Sequence, residues 1–286
     1  MELMTHIDIP ASDWKLSSGA KVLLVGSCFA DEMGQKMQRG GFEVMVNPFG
    51  TLYNPASIAA SLLRSLSERE YMMDSPELVR GEQDLVWHSW MHHSTFSSSE
   101  KEKLVAKMNK TMHIVADFLR EADVLIVTLG TAFIYRLKKT GALVANCHKQ
   151  KDTLFTRERM SAYDIADQWQ TLLMLLHSVN PQLKILFTVS PVRHKRDGFH
   201  ANQISKGILL QAVDEMDVDY FPSYEIMMDE LRDYRFYADD MIHPSARAVE
   251  YIWQRFQDVF FDNKTKDAVA KATKEWARLQ HRNIIL

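Results

Sequence analysis

The chain has 286 residues, of which 46% are hydrophobic and 25% charged, and its formal net charge at pH 7 is -3. This composition is typical of a globular protein with one large core, and the near-balanced charge argues against nucleic acid as a partner. No apolar run approaches the ~20 residues that span a bilayer. The N-terminus lacks the pattern of a signal peptide and the two cysteines form no disulfide framework, so we expect a cytoplasmic protein.

The first patterned stretch is an apolar run, Val22 to Val25, that ends in Gly26 and Ser27. A helical pattern follows at once and is closed by Gly40-Gly41. A strand, a tight turn and a helix place the turn at the carboxyl edge of a sheet, beside a helix N-terminus. The Ser27 hydroxyl is therefore a candidate nucleophile, and a helix N-cap is the equally weighted alternative.

Further elements follow in regular alternation. Apolar runs predict strands over residues 42–46, 123–129, 185–189 and 218–221, and periodic patterns predict helices over residues 55–63, 99–121, 161–179, 202–216, 245–256 and 263–280. Two hairpins are predicted, over residues 78–87 and 132–145. Buried strands that alternate with helices indicate a parallel sheet with helices on both faces. We expect one domain over residues 1–262 and a helical extension over residues 263–286 that packs on it.

Asp240 and His243, just before the 245–256 helix, are the second chemistry-bearing element. A serine nucleophile needs a base, and the base needs a carboxylate that holds its tautomer. A three-residue spacing lets the carboxylate bind one ring nitrogen and leaves the other free, and Asp239 is one residue too distant for this pattern. Ser245 is better explained as a helix cap. Cys28 is an alternative nucleophile, although packing beneath the turn is favoured for it.

At this point a family resemblance is visible. Residues 26–30 read GSCFA and resemble the signature of the GSCFA family, a branch of the SGNH (GDSL-like) hydrolases, whose terminal Asp-x-x-His block resembles residues 240–243. Residues 128–132, 146–149, 190–194 and 229–234 also look like members of the family. The resemblance implies a three-layer α/β/α, flavodoxin-like fold with a parallel sheet of about five strands, and we expect the two hairpins to be insertions over the carboxyl edge of that sheet. It also implies hydrolysis of a small-molecule or glycan ester, such as an O-acetyl or short acyl ester, through an acyl-enzyme without cofactor or metal.

The resemblance breaks down after the third strand of the sheet. SGNH hydrolases usually have Gly-x-Asn-Asp there, and the asparagine donates to the oxyanion, whereas this chain has Gly130–Phe133 without asparagine. One oxyanion donor contributes roughly 3–4 kcal/mol, so we expect a replacement. The candidates are the backbone N–H groups of Ser27 and Gly50, and the side chains of three further residues: Asn54, Thr131 and Asn146.

Substrate binding is predicted for a set of residues near strand ends and in the loops: Gly130, His148, Arg193, His194, Trp87 and His88. For Arg193, the structural alternative to substrate binding is an ion pair with Asp197 or Asp233. The His88 and His92 spacing suits a metal, but no carboxylate or cysteine ligand accompanies it, so no metal is predicted.

Two other functions remain open, a non-catalytic carbohydrate- or small-ligand-binding protein on the same scaffold and an acyltransferase.

Overall fold

A computed structural model describes residues 4–283 of the chain. Its strands are β1 (Lys21–Gly26), β2 (Glu43–Val46), β3 (Leu78–Arg80), β4 (Trp87–Ser89), β5 (Val124–Leu129), β6 (Phe133–Leu137), β7 (Leu143–Val144), β8 (Phe155–Arg159), β9 (Lys184–Val189) and β10 (Asp219–Tyr220). Its helices of interest are α1 (Cys28–Arg39), α2 (Pro55–Leu66), α3 (Lys101–Glu121), α4 (Ala162–Val179), α5 (Phe199–Glu215), α6 (Ser223–Glu225), α7 (Ala246–Phe260) and α8 (Asn263–Asn283).

Five strands form one parallel sheet in the spatial order β2-β1-β5-β9-β10. Counted along the chain, this is the order 2-1-3-4-5, which is the flavodoxin-like arrangement. The predicted fold is therefore confirmed. Ligands of such sheets bind at the carboxyl ends of the strands, and the first turn there is the one that contains Ser27.

The two faces of the sheet bury two different cores, because successive strand residues point to opposite sides. Leu23 and Val25 of β1 face a core built with α2, α3, α4 and α5. Val22 and Leu24 face a second core, which is built with α1 and α7 and reaches Val269 of α8. Burial on both faces explains why β1 is an unbroken apolar run and not an alternating one.

Helix starts follow local chemistry. The Asn54 side chain accepts a hydrogen bond from the Ser57 N–H at 2.8 Å, and Pro55 occupies the first turn of α2, as the sequence predicts. Ser161 and Asp164 form the predicted capping box of α4. Such caps supply hydrogen-bond partners within one turn, so they need no tertiary context.

Both insertions lie over the carboxyl edge of the main sheet. β3 and β4 pair as an antiparallel hairpin, and the His93 N–H, beyond it, donates to the Phe49 carbonyl in the loop after β2. β6 pairs with both β7 and β8, so the predicted hairpin is a three-stranded sheet. β8 was not predicted, because its sequence, Phe155–Arg159, is mostly charged and carries no apolar alternation on its exposed side.

The last helix packs on α1. Val269 is buried, Ala272 lies against Gly41, and the Arg39 guanidinium stacks 4.7 Å from the Trp276 ring centroid. The boundary at residue 262 stays a prediction. Among the residues that the structure describes, no helix combines the length and the apolarity needed to cross a membrane.

Candidate active site

The Ser27 turn is fixed by backbone contacts to the neighbouring strand. Ser27 separates β1 from α1, and its N–H donates to the Thr128 carbonyl of β5 at 3.0 Å. Its hydroxyl accepts a 3.3 Å hydrogen bond from the Phe29 N–H, and the residue is only 1% exposed. Ser27 is therefore the N-cap of α1, which is compatible with a nucleophilic role but does not test it.

Two hydrogen bonds that the sequence did not predict link the Ser27 turn to the loop after β2 and to α1. The Gly26 N–H donates to Asn47 Oδ1 and the Asn47 amide donates to Asp31 Oδ1, both at 2.9 Å. Asp31 lies one helical turn after Ser27 on α1, and burial raises the pKa of its carboxyl. Asn47 has a positive φ of 42°, so this loop holds the turn through a conformation that the sequence pattern does not reveal.

Asp240 and His243 have the predicted mutual geometry. Asp240 Oδ2 lies 2.6 Å from His243 Nδ1, while Oδ1 accepts the N–H groups of Ile242 and His243 at 2.9 and 3.0 Å. These backbone and side-chain donors lower the pKa of the Asp240 carboxyl to about 2, so it is ionised at any ordinary pH. Ser245 caps α7 as predicted.

The two segments reach the same edge of the sheet at different strands. The loop that contains His243 is anchored beyond β9, where the Arg193 N–H donates to the Ile242 carbonyl and Arg193 Nη1 donates to the Met241 carbonyl, both at 3.2 Å. β5 lies between β9 and β1, the strand that ends at Ser27. Within residues 4–283 no hydrogen bond joins the Ser27 hydroxyl to the His243 ring, whose side chain is 47% exposed.

The backbone donors predicted for an oxyanion hole are already engaged. The Ser27 N–H donates to Thr128, and the Gly50 N–H donates to the Asn47 carbonyl at 2.7 Å. Gly50 has a φ of +79°, and a Cβ there would lie 2.1 Å from His93 Cβ, so the loop needs glycine. Either N–H would have to give up its present acceptor before it could bind an oxyanion.

The predicted side chains also have partners, but the two asparagines are engaged through their amide oxygens, and no acceptor for their Nδ2 groups is found among the described residues. Asn54 Oδ1 caps α2, Asn146 Oδ1 accepts the His148 N–H at 2.8 Å, and Thr131 Oγ1 lies 3.1 Å from Ser205 Oγ. Their oxyanion role stays a prediction.

The aromatic and histidine residues predicted for substrate binding form an interior cluster of the insertions. The His88 ring stacks on His148 at 4.4 Å, and its nitrogens contact Ser97 Oγ at 2.6 Å and Asp84 Oδ2 at 3.0 Å. His148 Nε2 contacts the Ser89 carbonyl at 2.7 Å.

Trp87 lies beneath the Lys101 ammonium group at 4.5 Å. In the described part of the chain, no three His, Cys, Asp or Glu side chains are grouped to hold a metal ion.

Arg193 makes neither ion pair that was considered for it. Asp197 pairs with Arg157, and Asp233 pairs with Arg235, so that structural alternative is wrong. The Arg193 guanidinium instead stacks over the rings of two residues, Phe199 and Tyr237, and borders a cavity of about 330 Å³. Substrate binding stays a prediction for it.

Cys28 is disfavoured as the nucleophile. Burial is the main cause that raises the pKa of its thiol, and the Asp31 carboxylate raises it further. Both effects oppose the thiolate that a cysteine nucleophile needs.

Lys206 is a buried cation that sequence reasoning missed. It is 1% exposed, and its Nζ donates to the carbonyls of Gly130 at 2.8 Å and Ser190 at 2.7 Å, which end β5 and β9. Burial lowers the pKa of the amine to about 7. A signal was present, since Lys206 stands between Ser205 and Leu209 on the buried side of α5.

Lys206 should make stability depend on pH. Between pH about 7 and its ordinary value of 10.5, the unfolded chain keeps the proton while the folded chain releases it. The free energy of unfolding should therefore rise with pH in this window, by roughly 1.4 kcal/mol per unit, and the Lys206→Met variant should lack this contribution. Urea unfolding at several pH values measures the slope, and equal slopes for both proteins would contradict the expectation.

Comparison with known proteins gives one family and several solved structures. The model of the GSCFA family matches residues 21–256. A mutant of Axe2, an acetyl-xylooligosaccharide esterase from Geobacillus Stearmophilus, is similar at 8% identity and a TM-score of 0.45, over 87% of this chain and 97% of that one. A candidate GDSL-like lipase from Parabacteroides merdae ATCC 43184 is similar at 9% identity and a TM-score of 0.44, over 87% and 98% of the two chains. No curated protein matches the sequence.

Proposed function

The chain belongs to the GSCFA family, and from that premise we propose that it is a serine esterase of the SGNH type that acts through an acyl-enzyme on a short acyl ester. The observation that carries the proposal is the 2.6 Å contact between Asp240 and His243, on the sheet edge that also bears Ser27. The carboxylate fixes the imidazole through Nδ1 and leaves Nε2 for proton transfer.

The proposed reaction has two halves. Ser27 Oγ attacks the ester carbonyl carbon while His243 Nε2 takes the hydroxyl proton, and the carbonyl oxygen becomes an oxyanion. Collapse of this intermediate breaks the bond to the alcohol oxygen, which takes the proton from His243. Water then attacks the acyl group on Ser27 with His243 again as the base, and the acid and free Ser27 are released. Asp240 stays ionised throughout and stabilises the imidazolium.

This chemistry requires a rearrangement of the unliganded site. The Ser27 hydroxyl can keep the hydrogen bond that it accepts from the Phe29 N–H, but its own O–H must come to donate to His243 Nε2, which no bond in this structure achieves within residues 4–283. Catalytic hydrogen bonds commonly tighten only when substrate is bound. We therefore expect the loop over residues 239–243 to close on the Ser27 turn with the substrate.

A covalent probe tests the proposal directly. A fluorophosphonate should label Ser27, as found by mass spectrometry of the digested protein, and the purified protein should turn over p-nitrophenyl acetate or butyrate. Both signals should be lost together in Ser27→Ala. A protein that neither hydrolyses these esters nor reacts with the probe would end the esterase proposal.

Asp240→Asn should lower kcat by about 10²–10⁴-fold with little change in KM, because the amide stabilises neither the tautomer nor the charge of His243. Steady-state kinetics with p-nitrophenyl acetate measures the effect. Asp239→Asn is the matched control, because Asp239 is the exposed neighbouring carboxylate one residue farther from His243. Equal kcat values for the two variants would remove Asp240 from the mechanism.

The burial of the Ser27 side chain favours a second candidate function, which is ligand binding without hydrolytic activity. Its hydroxyl is buried and already bonded, and a separate cavity of about 500 Å³ lies between α2 and the insertions, beside Trp90. Saturable binding of a sugar or ester, with no labelling of Ser27 and no turnover, would favour this candidate over the esterase.

A further inference from the structure

The two backbone donors predicted for the oxyanion hole are engaged, whereas one side chain at the same edge of the sheet has a buried nitrogen that lacks a partner among the described residues. His194 follows β9, and its Nε2 is buried without a hydrogen-bond partner among residues 4–280. Buried polar atoms in native proteins are almost always paired, so an unpaired one is a candidate for a functional role. The inference that follows rests on the proposed esterase function.

His194 Nε2 lies directly over the end of β5. A Cβ built on Gly130 would be 2.9 Å from the Tyr53 carbonyl oxygen, which excludes a side chain there, and 3.1 Å from His194 Nε2, which shows how closely the imidazole approaches residue 130. The ring is held by its own backbone, because the His194 N–H donates to Asn202 Oδ1 at 2.9 Å, and it stands edge-on to the Tyr53 ring at 5.6 Å.

Strand register brings this position next to Ser27. Gly26 of β1 is level with Thr128 of β5, so Ser27 is level with Leu129 and Gly130 is one residue beyond. Adjacent strands lie about 4.8 Å apart, which places His194 Nε2 one strand away from the Ser27 turn. An oxyanion formed on the carbon that Ser27 attacks must lie about 2.7–3.1 Å from its donors, and this separation leaves room for it.

The imidazole is also in the required charge state. Burial, and after it the nearby basic groups of Lys206 and Arg157, lower the pKa of His194 to about 3. The ring is therefore neutral under assay conditions, and with its proton on Nε2 it has one N–H to donate.

We propose that His194 is a catalytic residue whose neutral imidazole donates Nε2–H to the oxyanion, in place of the asparagine that this chain lacks. Ser27 and His194 Nε2 are both closed to water in this structure. A substrate that binds at the Ser27 hydroxyl must displace groups at the carboxyl edge of the sheet, and its carbonyl oxygen then lies beside the His194 imidazole.

Substitution of His194 tests the proposal by kinetics. His194→Leu should lower kcat for p-nitrophenyl acetate by about 10²–10³-fold while KM changes little, since the donor acts on the transition state. His194→Gln keeps an N–H donor and should recover part of the loss. His200→Leu is the control, because His200 is exposed on α5 and should keep wild-type kinetics.

A second measurement uses the wild-type protein and needs no variant to fold. With ¹⁵N-labelled histidine, the Nε2–H proton of His194 should move downfield when a fluorophosphonate is attached to Ser27, because the phosphoryl oxygen occupies the oxyanion position. An unchanged resonance in the adduct, or an unchanged kcat in His194→Leu while Ser27→Ala is inactive, overturns the His194 proposal and leaves the esterase standing. Absence of both labelling and turnover in the wild type overturns both.

Discussion

Ser27→Ala is expected to reduce ester hydrolysis to background, a loss of at least about 10³-fold in kcat, while the protein remains folded. The variant removes the attacking oxygen, and nothing else in the turn can replace it, because burial disfavours the Cys28 thiolate. The backbone bond from the residue 27 N–H to Thr128 does not depend on the side chain. Kinetics with p-nitrophenyl acetate and thermal unfolding of the same samples measure the two properties separately.

The matched control isolates the capping role of Ser27. Loss of its hydrogen bond to the Phe29 N–H should cost about 1 kcal/mol, which is the usual value of an N-cap. Ser161→Ala removes the corresponding cap of α4, a helix that carries no proposed catalytic residue, and should show a similar loss of stability with unchanged kcat. If Ser27→Ala behaves like Ser161→Ala in both respects, Ser27 is only a cap and the nucleophile lies elsewhere.

Features encoded over a few residues could be predicted from the sequence. The apolar run of β1 followed by Gly26 and Ser27 identified the strand-turn-helix unit. The contact between Asp240 and His243 needed only a three-residue spacing, because both groups belong to one loop. The parallel sheet itself could be predicted from buried strands alternating with helices, whereas its flavodoxin-like strand order was expected only from the resemblance to a family.

Contacts between distant segments could not be predicted in the same way. Helical spacing could place Lys206 on the buried side of α5, but it could not show that the carbonyls of Gly130 and Ser190 accept hydrogen bonds from its amine. The pairing of β8 with β6 supplies a strand that its charged sequence does not indicate. The hydrogen bonds that occupy the Ser27 and Gly50 N–H groups depend on Thr128 and on the loop after β2, so the sequence alone could not show that these donors are engaged.

Gly26→Ala is expected to destabilise the protein by more than about 4 kcal/mol, independently of any enzymatic role. Gly26 has a φ of +134°, a region essentially restricted to glycine, and an added Cβ would lie 2.1 Å from the Thr128 carbonyl oxygen. Relief of this clash must separate β1 from β5 in the centre of the sheet, because the obstacle is backbone and not a flexible side chain. Urea unfolding followed by circular dichroism measures the change, and a protein too unstable to purify agrees with it.

Gly141→Ala separates the clash from the cost of a positive φ. Gly141 has a φ of +70° in the turn between β6 and β7, and a Cβ there would meet no atom within 4 Å. This variant should lose only about 1–2 kcal/mol, the cost of the left-handed conformation for a residue with a side chain. Equal losses in the two variants would mean that β1 and β5 can separate at little cost. The Ser27 turn would then be held by the helix that follows it, and the close contact with Thr128 would not be what fixes the hydroxyl at the sheet edge.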